Sequence, residues 1–175
     1  SAFLVAAGLY FLTFTTWGPS HLLGHSLNFR LNIVSLLACI GLFPPAVYRV
    51  AHRPVPLGVF AIQTILGLGA AFALVWRDEG DLYFWVYIAE AAMVAVAVVV
   101  LGVLAALVRQ RHPWGRSLLA STVVLFTLAA LDTLTDIGVL PRLDVTVGEL
   151  FTPLALVPFS LLFSIALAYT WVERR

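Results

Sequence analysis

The chain has no lysine; all ten of its basic residues are arginines. A Schiff base to retinal or pyridoxal phosphate needs a lysine amine, so both chemistries are excluded for these residues. There is a single cysteine, Cys39, which cannot form a disulfide within the chain. It lies in the middle of an apolar run, where a small packing role is expected. A Gly-rich phosphate loop ending in Lys is absent, and so is a nucleophile elbow. Charge is scarce as well: 11% of residues are charged and the net charge is +1, which leaves no electrostatic footprint for nucleic acid.

What fills the chain instead is apolar sequence, with 62% of residues hydrophobic and a mean hydropathy of +1.01. A water-soluble domain of 175 residues cannot hide that much apolar surface. A membrane-spanning helix needs about 20 mostly apolar residues to cross roughly 30 Å of hydrocarbon. Six such runs occur, at residues 1–17, 31–50, 56–76, 82–108, 117–140 and 147–172. Strands of a membrane barrel are about 10 residues long and alternate polar with apolar, whereas the run from Ala89 to Val108 is apolar on every face. The expected fold is therefore all-α, a polytopic transmembrane helical bundle forming one domain over residues 1–175.

The arginines orient this bundle. Arg49 and Arg53 follow the second span, Arg109, Arg111 and Arg116 follow the fourth, and Arg174-Arg175 close the chain. These lie on one side if all six spans cross, and the positive-inside rule makes that side cytoplasmic. Arg77 with Asp78, Glu79 and Asp81, Arg142 with Asp144 and Glu149, and Arg30 near the first loop fall on the other. Trp17, Trp76, Trp85, Trp114 and Trp171 all stand at expected span ends, as an aromatic belt requires. The expected location is an integral protein of a bacterial inner membrane with its C-terminus in the cytoplasm. Since the chain opens Ser1-Ala2-Phe3 without a basic start or cleavage site, no signal peptide is read, and residue 1 is expected to lie inside a longer protein.

The four histidines offer little to a metal or haem. His21 and His25 are spaced i, i+4, which would present two imidazoles on one face of a helix. Gly18, Pro19 and Gly24 break that region into an interfacial loop, so the pair is a weak metal candidate and ordinary interfacial polarity the default. His52 and His112 lie in loops, and no histidine falls inside a span to ligate a membrane haem. No cofactor is expected.

Carboxylates inside apolar runs are more telling, because a charge in hydrocarbon is costly without a partner or a wet cavity. Glu90 and Asp132 each lie eight residues in from the non-cytoplasmic end of their span, and Asp136 lies one turn from Asp132 on the same face. Read functionally, Glu90, Asp132 and Asp136 are candidates for a ligand- or proton-responsive pocket. Read plainly, Glu90 bonds a neighbouring helix and the two aspartates cap a helix end. Pro44-Pro45, Pro153 and Pro158 remove backbone donors inside spans and should loosen them, which makes Pro153 and Pro158 hinge candidates in the last span. Gln63 and Asn32 are read as interhelical hydrogen-bonding groups. Gly67 to Ala73 forms a small-residue surface for close helix approach. No inverted repeat is visible, which weakens a transporter reading. Short loops leave no room for a soluble catalytic domain, and no intramembrane catalytic constellation stands out.

The stretch Ser121 to Asp132, followed by Thr133 to Pro141 and by an apolar helix ending Tyr169-Thr170-Trp171-Val172-Glu173-Arg174-Arg175, resembles the end of bacterial seven-transmembrane sensor modules. Two groups fit: receptors with diverse intracellular signalling domains, and seven-helix input regions of histidine kinases. An Asn or Asp in the outer part of the penultimate helix and a Gly-x-x-Pro turn are features of those families, met here by Asp132 and by Gly138 to Pro141. The Arg109 to Arg116 loop is similar too. The resemblance implies six visible spans of seven, with a further helix upstream, and a cytoplasmic output domain beyond Arg175. The expectation is a non-enzymatic membrane sensor relaying a signal to that domain, with the lipid bilayer as its surroundings and a homodimer open. The rivals are an accessory scaffold subunit of a larger membrane complex, holding lipid, pigment or partner helices, and a small intramembrane enzyme or carrier.

Overall fold

The computed structural model describes residues 2–14, 25–76, 79–136 and 151–172, and every regular element among them is an α-helix. The helices are α1 (Ala2–Phe14), α2 (His25–Val50), α3 (Leu57–Val75), α4 (Glu79–Arg109), α5 (Gly115–Asp136) and α6 (Phe151–Val172). Each follows one of the six apolar runs. The clearest difference is at α2, which is already helical at His25 instead of starting at residue 31. His25 and Arg30 therefore belong to a helix and not to an interfacial loop. Ser26, Arg30, Ile33, Leu37 and Ile40 continue one helical face, so the periodicity runs through polar residues where hydropathy alone stops.

Among the described residues four helices, α2 to α5, are long and apolar enough to cross a membrane. The 31 residues of α4 reach about 46 Å at 1.5 Å per residue, more than the roughly 30 Å of hydrocarbon, so its ends extend into the headgroup layers. The surface supports the same conclusion. Val5, Leu57, Leu68, Val75, Val94 and Val98 are each more than 60% exposed, a distribution that suits contact with acyl chains and not with water. The chain is thus an integral membrane protein.

Two compact units are formed, residues 1–100 and 101–175, and α4 contributes to both. In the first, α2 packs against both α1 and α3. It is the inner helix: 56% of its apolar window is buried, against 22% for α3. Ile33, Leu37, Val47 and Val50 are buried along it, and Phe43 stacks on Phe3 of α1 with centroids 5.2 Å apart. The pair Pro44-Pro45 lies inside α2 without ending it. Where α3 meets α4, Gly69 is buried and faces the Trp85 ring, which occupies the space a β-carbon would take. In the second unit α5 packs against α6. Leu118, Thr122, Leu125 and Ala129 form the buried face of α5, and Leu156, Phe159, Phe163 and Ala166 that of α6, both at helical spacing.

The turns after α2 and α4 close in the same way. Arg53 N–H donates to Tyr48 O and His52 N–H to Arg49 O; His112 N–H donates to Leu107 O and Arg111 N–H to Val108 O. Each is a Schellman closure, in which a 6→1 and a 5→2 bond satisfy the last carbonyls. The left-handed residue is His52 (φ 52°) in one and Arg111 (φ 55°) in the other, where glycine is the usual occupant and another residue costs about 1–2 kcal/mol. Pro54 and Pro113 follow and forbid continuation of the helix.

The two neighbouring glycines of α3 provide a test of the packing. A β-carbon at Gly69 collides with Trp85, while at Gly67 it meets nothing within 4 Å. Gly69→Ala is expected to cost about 1–3 kcal/mol, and Gly67→Ala to be neutral or stabilising by about 0.5–1 kcal/mol. Thermal unfolding of the two variants in detergent measures the difference; equal effects would contradict the Gly69–Trp85 approach.

Candidate functional site

At the N-terminal end of α2 a polar and aromatic network ties three helices of the first unit together. Arg30 donates from its guanidinium to the backbone carbonyls of Trp76 and Ala73, the latter at 3.3 Å, and its Nε lies 3.4 Å from Ser26 Oγ. The last carbonyls of α3 have no acceptor role left inside their own helix, so the arginine caps α3 from a neighbouring helix. The Trp76 N–H still donates to Phe72 O at 3.0 Å. From the same residue the indole Nε1 donates to Asp81 Oδ2 at 2.6 Å, which brings in the start of α4. Phe72 stacks on Trp76 at 4.6 Å and lies 6.0 Å from Trp85, and Phe29 lies 5.4 Å from Tyr83.

Glu90 is half-buried in α4, beside the buried line of Leu82, Ala89 and Val96. Along the helix it stands about 28 Å from Arg109 by the 1.5 Å rise. Asp132 is half-buried in α5 beside Ala129, and about 26 Å along that helix from Gly115. Neither carboxyl is isolated, since both make polar interactions. Glu90 belongs to the first unit and Asp132 to the second. Close to Asp132, an apolar groove of about 360 Å³ is lined by Leu101, Val123, Phe126, Thr127, Ala130, Leu131 and Leu134. Thr135, one turn further on, turns its hydroxyl back to Leu131 O at 2.9 Å.

Asp136 is the last residue of α5, and its side chain lies outside the described residues. His21 also lies outside them, and His25 opens α2. No group of three or more His, Cys, Asp or Glu is placed to hold a metal among the described residues. Pro158 sits exposed inside α6, which runs on past it, and Pro153 lies in the first turn of α6, with its side chain outside the description. Asn32 and Gln63 are half-buried, and Asn32 makes a polar interaction.

At the other end of the second unit, Trp114 in the α4–α5 turn meets Tyr169 near the end of α6, edge to face, with centroids 6.1 Å apart. The backbone N–H of Trp114 donates to His112 Nδ1 at 3.4 Å. Gly115 is buried, and a β-carbon there would be 3.1 Å from the backbone of Leu107 and Val108, so the start of α5 lies directly against the end of α4. The turn, α5 and the exit from α6 are thereby joined at one place.

Two of these features escape a reading of the sequence. Arg30 reads as a loop charge, Trp114 as a belt aromatic, and Tyr169 only as part of the C-terminal end of the last span. The i, i+4 spacing of Ser26 and Arg30 is the one signal that would have placed Arg30 on a helix. Arg30→Met is expected to cost about 2 kcal/mol, the range for hydrogen bonds made by a charged donor. Arg30→Lys should recover only part, because an ammonium lacks the guanidinium fork. Thermal unfolding with tryptophan fluorescence reads this; a stability unchanged in both would show that the end of α3 does not depend on Arg30.

With this geometry in view, the comparison with protein families gives one result: the model described as 7TM diverse intracellular signalling matches residues 1–170. No curated protein and no solved structure matches the chain.

Proposed function

The chain belongs to the 7TM diverse intracellular signalling family, and from that premise we propose that it senses a stimulus in or across the membrane and relays it through α6 to a cytoplasmic output domain. The match over residues 1–170 is the observation that carries this reading. The arginine-rich turns after α2 and α4 support a cytoplasmic position for those turns and for the end of α6. The location that follows is a bacterial inner membrane, and the output is a kinase, cyclase or phosphatase activity following the last helix.

In this mechanism Glu90 and Asp132 are the responsive groups, with Asp136, four residues after Asp132 in the sequence, as a third. A carboxyl within a span changes its interaction with neighbouring helices when it gains or loses a proton or a ligand contact. Only a stimulus that interacts differently with two helix arrangements can shift the balance between them. Pro158 gives α6 a point at which its hydrogen-bond ladder is already interrupted, and the Trp114–Tyr169 contact is where a movement of α6 would be transmitted or resisted. Within the family reading, a homodimer would bring two exit helices side by side.

Asp132→Asn and Glu90→Gln keep side-chain volume and remove charge. At least one is expected to change the signalling output of the full-length protein by about fivefold or more, the lower end of allosteric coupling, with unchanged thermal stability in detergent. Unaltered output in both would remove these carboxyls from the mechanism.

A further inference from the structure

The turn from residue 109 to residue 116 carries Arg109, Arg111 and Arg116, all exposed, with His112 half-buried among them. From Ala91 to Leu131 the sequence contains no Asp or Glu, so no carboxylate lies within about 15 residues of the three guanidinium groups along the helices that flank the turn. Among the described residues they make no ion pair. Arg111 holds the left-handed closing position of α4, where glycine would sit with less strain, and it puts a cation there instead.

The depth of this turn is set by its neighbours. The apolar stretch of α4 runs to Arg109 and that of α5 starts at Gly115, so the turn lies at a boundary of the hydrocarbon. Trp114 and Tyr169 meet edge to face beside it, and aromatic residues of this kind settle at headgroup level. Three guanidinium groups with no ion pair among the described residues are thus placed where lipid phosphates lie. A guanidinium presents paired donors that match phosphate oxygens.

We propose that the α4–α5 turn is a docking surface for the phosphate groups of anionic phospholipids, held by Arg109, Arg111 and Arg116. Bound lipid would brace the turn on which the end of α6 rests through Tyr169. The surface stands whichever face of the membrane the turn occupies, so its test is independent of the sidedness and output proposed above.

The test is titration of the purified full chain with phosphatidylglycerol in a neutral detergent, read by native mass spectrometry. An arginine near a charged lipid surface is expected to contribute about fivefold to the affinity. R111Q with R116Q should therefore weaken binding by about 25-fold, while R53Q, in the other basic turn, should change it less than about twofold. R111K with R116K keeps the charge without the paired donors and should bind between the wild type and the glutamine double variant. Phosphatidylcholine and inorganic phosphate should not compete. The proposal is overturned if phosphatidylglycerol binds no better than phosphatidylcholine, if R53Q weakens it as much as the double variant, if the lysine variant binds no better than the glutamine variant, or if inorganic phosphate displaces it.

Discussion

Inside hydrocarbon there is no water to take a hydrogen bond, so each amide and carbonyl must be satisfied by the chain itself. Among the described residues every regular element is a helix, which meets most of that condition within itself. The backbone coils into helices, and hydroxyls within them turn back to their own carbonyls: Ser35 to Leu31 O, Thr64 to Phe60 O and Ser164 to Ser160 O, all within 2.9 Å. The condition is hardest to meet at helix ends, and there the protein uses two devices. The turns after α2 and α4 fold their last N–H groups back onto the helix, while the end of α3 borrows the guanidinium of Arg30. Once the ends are closed, side-chain packing decides the rest. The inner helix α2 collects Phe3 from α1 and Leu66 from α3, and the aromatic ladder Phe159–Phe163 seats α6 on α5.

Against this apolar background the few polar side chains within helices carry disproportionate weight. Thr122 is fully buried, with no hydrogen-bond partner for its hydroxyl among the described residues, which leaves a polar group in the core of the second unit. Glu90 and Asp132 stand at half-buried positions, despite the cost of a carboxyl in hydrocarbon. The energies of such groups respond to small changes in surroundings that an all-apolar interface would not register.

Much of this architecture was legible in the sequence. A membrane helix needs a long apolar run and little else, so the six runs reappear as six helices among the described residues. The boundary of α2 was not legible, because a hydropathy reading stops at Arg30 and Ser26 whereas a helix tolerates both when they are bonded. Glu90 and Asp132 stood out as carboxylates in apolar surroundings. The Arg30 cap and the Trp114–Tyr169 contact did not, since each joins residues more than 40 positions apart and no local pattern records such a meeting. The left-handed His52 and Arg111 were hidden for a different reason: the usual sign of that backbone is glycine, and here the position holds a basic residue.

The account turns on sidedness, because a module that reports to the cytoplasm must have its arginine-rich turns and the end of α6 inside. In a Cys39→Ala background, single cysteines at two exposed positions, Gln110→Cys and Gly80→Cys, can be labelled in intact cells with a membrane-impermeant maleimide. The account predicts that the cysteine at position 80 is labelled and that the one at position 110 reacts only after the cells are opened. Labelling at position 110 in intact cells, with protection at position 80, would contradict it.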